Sequence, residues 1–157
     1  RHRGWGGCEQ RAAPDSAVST LDALQAALAG EHACVYGYGV LGPYAAEHDQ
    51  PTVSSAYEAH RFRRDIITEL VRARSAEPVA SVPAYAVPFP VADAGSARRL
   101  AGLLEERLTV LYADLVAESA HSELRESSAR ALMETAELAA RWTGRTSPLP
   151  GIDPPAG

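Results

Sequence analysis

The chain has 157 residues, is 46% hydrophobic but only 6% aromatic, and carries a net charge of −5. That length can bury one substantial core, an Ala- and Leu-rich, aromatic-poor composition favours helix over sheet, and no apolar run is long enough to cross a membrane. All 15 basic residues are Arg, and they form no stripe interleaved with aromatics, so nucleic acid is not an expected partner.

Residues 1–18 are polar and aperiodic and read as a flexible leader. Two cysteines, Cys8 and Cys34, are too few for a disulfide framework. Trp5-Gly6-Gly7-Cys8 is similar to the end of a bacterial lipoprotein signal, but no apolar segment precedes it. A cytoplasmic protein is the expectation, with a lipoprotein or exported form as the alternative.

Ser19 or Thr20 can cap a first helix that runs to Leu41 and stops at Gly42-Pro43. Its seam is Leu21, Leu24, Leu28, Glu31, Val35 and Tyr38, at steps of three and four. Glu31 puts a carboxylate where an apolar residue belongs, and a buried charge must be paired, protonated or metal-bound. Asp49 can cap a second helix from about Pro51 to Arg74, with the seam Val53, Tyr57, His60, Arg64, Ile67 and Val71.

Pro78, Pro83, Pro88 and Pro90 exclude helix over residues 75–93. Extended, such a segment reaches roughly 60 Å, while a helix of two dozen residues is about 36 Å long. It can therefore return along the whole bundle as a crossover between two helical hairpins. A third helix starts between Asp93 and Ser96 and runs to about Ser119, with Leu100, Leu104, Leu108, Leu111 and Leu115 as its main stripe and Glu105 on an adjacent one. A fourth follows the break at Ala120-His121-Ser122 and ends at Gly144. The expected domain is 19–144, followed by an extended tail, 145–157.

Counting from the turns brings the polar seam residues to one height. With the first two helices antiparallel about residue 46, Glu31 is level with residue 61, between His60 and Arg64. Arg61 is ten residues into the second helix, Glu105 and Glu106 about as far into the third, and Glu134 about nine residues from the end of the fourth, with Glu137 a turn further on. Four helices thus send carboxylates to one layer. Ferritin-like proteins hold two metal ions at that layer, with one Glu from each of two helices and Glu-x-x-His from each of the others. The match is partial: Glu58-Ala-His60-Arg61 has Arg where the motif wants His, and Glu134-Thr-Ala-Glu137 has Glu there.

The stretch from Leu24 through Glu31-His32 to Tyr36-Gly37-Tyr38-Gly39-Val40-Leu41-Gly42, together with His60-Arg61-Phe62-Arg63-Arg64-Asp65, Pro83-Ala84-Tyr85 and Ala140-Arg141-Trp142, resembles an actinobacterial ferritin-like family described as a domain of unknown function. The resemblance implies an all-α, ferritin-like four-helix bundle and brings no established activity.

Three readings of the layer follow. In the leading one Glu31, His60, Arg61, Arg64, Glu105 and Glu134 form a buried ion network, the guanidinium supplying the charge a metal would supply, with no cofactor and no ferritin activity. In the second, iron or manganese is held by Glu31, Glu58, His60, Glu105, Glu134 and Glu137 in an oxidoreductase or oxygenase. In the third, the same groups line a small-molecule pocket. Apolar helix faces and the Pro-rich crossover also suit a homodimeric interaction protein. Gly37-Tyr38-Gly39-Val40-Leu41-Gly42 matches G-x-G-x-x-G, but it follows a helix and precedes Pro43, so close helix packing explains it better than a dinucleotide.

Overall fold

Ser19 starts the first helix with a reciprocal cap. Its hydroxyl accepts from the Asp22 N–H, and the Asp22 carboxylate accepts from the Ser19 N–H. The computed structural model describes residues 19–145; the leader with Cys8 and the tail beyond Arg145 lie outside the described residues.

Four long helices follow: α1 (Thr20–Leu41), α2 (Gln50–Arg72), α3 (Ala94–Glu118) and α4 (Ser122–Thr143). No strand occurs among the described residues, and no helix of the described chain is long and apolar enough to cross a membrane. Pro43 ends α1 in a single 3-10 turn, because its nitrogen has no proton to donate. Pro51 sits in the first turn of α2, where a missing N–H costs nothing. The expected side-chain cap from Asp49 does not form; that carboxylate accepts from Arg98 Nη1 at 3.0 Å and ties the α1–α2 turn to α3. Asp93 and Ser96 cap α3 reciprocally, and Gly144 closes α4 at φ 70°, a left-handed position that suits glycine.

The chain makes two antiparallel hairpins, α1–α2 and α3–α4, joined by the long Pro-rich crossover. The crossover travels along α1. Gln25 donates to the Glu77 carbonyl at 2.7 Å and accepts from the Val79 N–H at 2.8 Å, His32 Nε2 lies 3.1 Å from the Val79 carbonyl, and Tyr36 stacks at a tilt on Tyr85. These side chains replace the backbone bonds that an extended, Pro-rich segment cannot make for itself.

α1 lies antiparallel to α3, with Thr20 reaching the Glu118 carbonyl and Tyr38 reaching Glu105. Glycines on α1 allow a close approach: a Cβ at Gly30 would meet Leu111 and Leu108 at 2.7 and 2.8 Å, and one at Gly37 would collide with Leu104. Within the G-x-G-x-x-G spelling it is Gly37 that serves packing between helices, while a Cβ at Gly39 would meet nothing within 4 Å. The bundle closes on three sides, α2 against α1, α1 against α3 and α3 against α4. On the fourth side no Cα of α2 comes within 8 Å of a Cα of α4.

Two apolar regions flank a polar middle. Leu24, Leu28, Val71 and Leu115 fill one end, and Leu41, Val53, Leu100 and Trp142 fill the other. Each fully buried large aliphatic side chain contributes about 1.5–3 kcal/mol.

Candidate functional site

Between those apolar ends Glu31, His60 and Glu105 have no exposed surface at all, and Arg63 is nearly as enclosed. They come from α1, α2 and α3. His60 stands between the two carboxylates, with Nδ1 at 2.7 Å from Glu31 Oε2 and Nε2 at 2.7 Å from Glu105 Oε1. Arg63 is one turn further along α2, so it projects from the same face as His60. Its Nε donates to Glu31 Oε1 at 2.8 Å and its Nη1 to Glu134 Oε2 at 2.8 Å. Tyr112 donates to Glu31 Oε1 at 2.5 Å, and Tyr38 donates to Glu105 Oε1 at 2.6 Å while accepting from Trp142 Nε1 at 3.0 Å. Thr109 and Thr135 bring their hydroxyls together at 3.0 Å between α3 and α4.

The electrostatics follow from this geometry. Burial pushes the His60 imidazolium toward losing its proton, but hydrogen bonds and charges from Glu105 and Glu31 outweigh it and raise its pKa to about 9. Burial likewise pushes the Glu31 carboxyl up, and His60, Arg63 and Tyr112 more than offset that, holding it below its ordinary value. Burial beside the carboxylates pushes the Tyr38 and Tyr112 phenols far up and keeps them as proton donors. Arg63 Nη2 also approaches His60 Nδ1 at 3.1 Å. With His60 protonated both atoms carry hydrogens, so this is no hydrogen bond; it is two cations crowding one carboxylate. Two carboxylates and two cations then leave the buried core of the layer with no net charge, the condition under which charges are tolerated away from water.

Among the described residues Glu105 Oε2 is buried with no hydrogen-bond partner at all, and Arg63 Nη2 has only its approach to His60. Three of the four oxygens of Glu31 and Glu105, and both nitrogens of His60, are engaged.

Several expected members of the layer lie elsewhere. Arg61 and Arg64 do not enter it: Arg61 pairs on the surface with Glu58, and Arg64 with Asp65. The seam of α2 is Val53, Ala56, His60, Arg63, Ile67 and Val71, which turns Tyr57 and Arg64 aside and places Arg63 inward. Glu58 is displaced to solvent for the same reason, about 200° round the helix from His60. Glu137 is also exposed, and Glu134 lies at the edge of the layer with its side chain 54% exposed. Sequence reasoning missed Arg63, Tyr112 as a partner of Glu31, and the Tyr38–Trp142 pair. Ala56, a small residue one heptad before Arg63, was the available sign of the true seam.

A family model described as "Domain of unknown function (DUF4439)" matches residues 23–154. Among solved structures the chain is similar to a conserved hypothetical protein from Mycobacterium tuberculosis, with 31% identity and a TM-score of 0.78, covering 84% of this chain and 98% of that one. No functionally curated protein matches.

Proposed function

The chain belongs to the family described as Domain of unknown function (DUF4439), and we propose that it is a ferritin-like bundle whose metal layer has become a fixed ion cluster, acting by binding and not by metal-based oxidation. The observation that carries this reading is His60 bonded through both ring nitrogens to Glu31 and Glu105, with Arg63 beside it. A metal takes the neutral imidazole through a bare lone pair and needs deprotonated ligands. An imidazole that keeps its proton to about pH 9 offers no lone pair. The guanidinium 2.8 Å from Glu31 supplies the compensating charge and repels a cation. The carboxylates Glu58 and Glu137 are too far round their helices to complete a ligand set, and the residues present do not fit a pair of metal ions.

Metal analysis tests this directly. Protein from cells grown with ample iron and manganese should carry neither in stoichiometric amount. The double variant His60→Glu/Arg63→His writes Glu-x-x-His on the inward face of α2 and should gain metal. Near-stoichiometric iron or manganese in the unaltered protein would sink the proposal.

A second reading, a homodimeric interaction protein, is supported by Phe62 and Met133, whose residues are 67% and 54% exposed. Sedimentation at working concentration would show a dimer if it holds and a monomer if it does not.

A further inference from the structure

The side of the bundle where α2 and α4 stand apart is a groove of about 280 Å³ with Arg63 in its lining. Leu24, Ile66, Ile67, Leu70, Leu115 and Leu124 make its walls and floor, while Arg63, Arg130 and Glu134 stand toward one end. From Ala59 to Leu70 along α2 it is about 16 Å long, by the rise of an α-helix. A helix with its side chains is about 10–12 Å across, more than a groove of about 280 Å³ can take in along that length. The groove suits a slender apolar chain.

The polar end defines the head of that chain. Arg63 commits Nε to Glu31, rests Nη2 beside His60 and reaches with Nη1 toward the half-exposed Glu134. Its one partner there is the carboxylate of Glu134, at 2.8 Å, carried on a half-exposed side chain that solvent can receive. Arg130, one turn away on α4, is held only by an exposed contact with Glu126 at 3.5 Å. Glu134 thus occupies the position an incoming carboxylate would take, and exchanging one carboxylate for another leaves the charge at Arg63 unchanged. Arg63 already holds a monocarboxylate at this position, the Glu134 side chain, so a ligand monocarboxylate reproduces its charge and geometry, which a doubly charged phosphate does not.

We propose that the α2–α4 groove binds a straight-chain, amphipathic monocarboxylate, its tail along Ile66, Ile67, Leu70, Leu115 and Leu124 and its head on Arg63 and Arg130 in place of Glu134. The proposal rests on the binding role argued above and names its ligand class.

The test is calorimetric titration with monomeric straight-chain alkanoates from hexanoate to tetradecanoate. Affinity should rise about fourfold for each added methylene and stop rising once the chain outgrows the groove. Glu134→Ala removes the internal competitor and should tighten every member of the series by about two- to fivefold. Ser127→Trp, at a groove-lining position that tolerates bulk toward solvent, should abolish binding with helicity retained. Alkanols of equal length should bind at least tenfold more weakly.

The proposal is overturned by any of four results. These are no binding of any alkanoate, equal binding of alkanols, affinity independent of chain length, or a fall in sedimenting mass in Ser127→Trp, which would make the groove an interface between copies. Metal content measured on the same samples separates the two questions, since a metal-loaded protein refutes the ion-cluster reading whatever the alkanoates do.

Discussion

His60 makes the stability of this bundle depend on pH in a calculable way. Folded, it keeps its proton to about pH 9; a histidine free of its partners gives it up near 6.5. Below pH 6.5 both states are protonated and the stabilisation from the shift is complete. As pH rises from 6.5 to 9 the unfolded chain binds fewer protons than the folded one, so stability falls. The difference in pKa corresponds to roughly 3–4 kcal/mol at about 1.4 kcal/mol per unit. In a domain of this size that is a loss of about 6–16 °C in Tm. Glu31 acts with the opposite sign: its folded pKa lies below 4.5, so its contribution is present above that pH and is lost as pH falls through the lowered value. Stability should therefore peak between about pH 4.5 and 6.5. The assay is urea unfolding across pH 4 to 10, on the unaltered chain and on His60→Gln. The variant should be less stable near pH 6 and should lose most of the slope between 6.5 and 9. A flat profile in the unaltered protein, or the same slope in the variant, would refute the reasoning.

The remaining expectations follow from the same contacts. Arg63→Ala leaves Glu31 buried without its guanidinium and should cost about 3–5 kcal/mol, whereas Glu134→Ala, which breaks the half-exposed arm of the same residue, should cost under about 1 kcal/mol; equal losses in chemical denaturation would place the weight of the network elsewhere. Tyr38 and Tyr112, two of the six tyrosines, should ionise only as the chain unfolds, seen as two late phenols in a spectrophotometric titration. Gly37→Ala drives a Cβ into Leu104 and should destabilise by about 1–3 kcal/mol, while Gly39→Ala, with nothing within 4 Å, should stabilise α1 slightly, read as a pair of melting temperatures.

The helices were legible because their ends are written locally. Ser19 with Asp22, Asp93 with Ser96, Pro43 and Gly144 each act within one turn, and helix boundaries need nothing from the rest of the chain. The height of the layer was legible as well, because the rise per residue is uniform, and counting from the turns brings Glu31, His60 and Glu105 level. Azimuth was harder. One residue is 100° of rotation, so a seam drawn through Tyr57 and Arg64 instead of Ala56 and Arg63 chose the wrong guanidinium. Glu58 and Glu137 share the layer's height and face away from its centre, which a count along the axis cannot detect. The open α2–α4 side was not legible either, because the distance between two helices depends on how every side chain between them packs.

That open side also decides which part of the molecule moves first. By backbone approach α2 and α4 each have one neighbouring helix while α1 and α3 each have two, and α2 is packed on α1 less extensively than α4 is on α3. Amides of α2 should therefore exchange with solvent through an opening of the helix as a unit, below the free energy of global unfolding. His60 and Arg63 travel with α2, while Glu31 and Glu105 stay with the α1–α3 core. Each opening separates the two cations from the two carboxylates and lets salt screen all four once they are wet. The helix behaves as a door with an ionic latch, and ionic strength sets how often it swings.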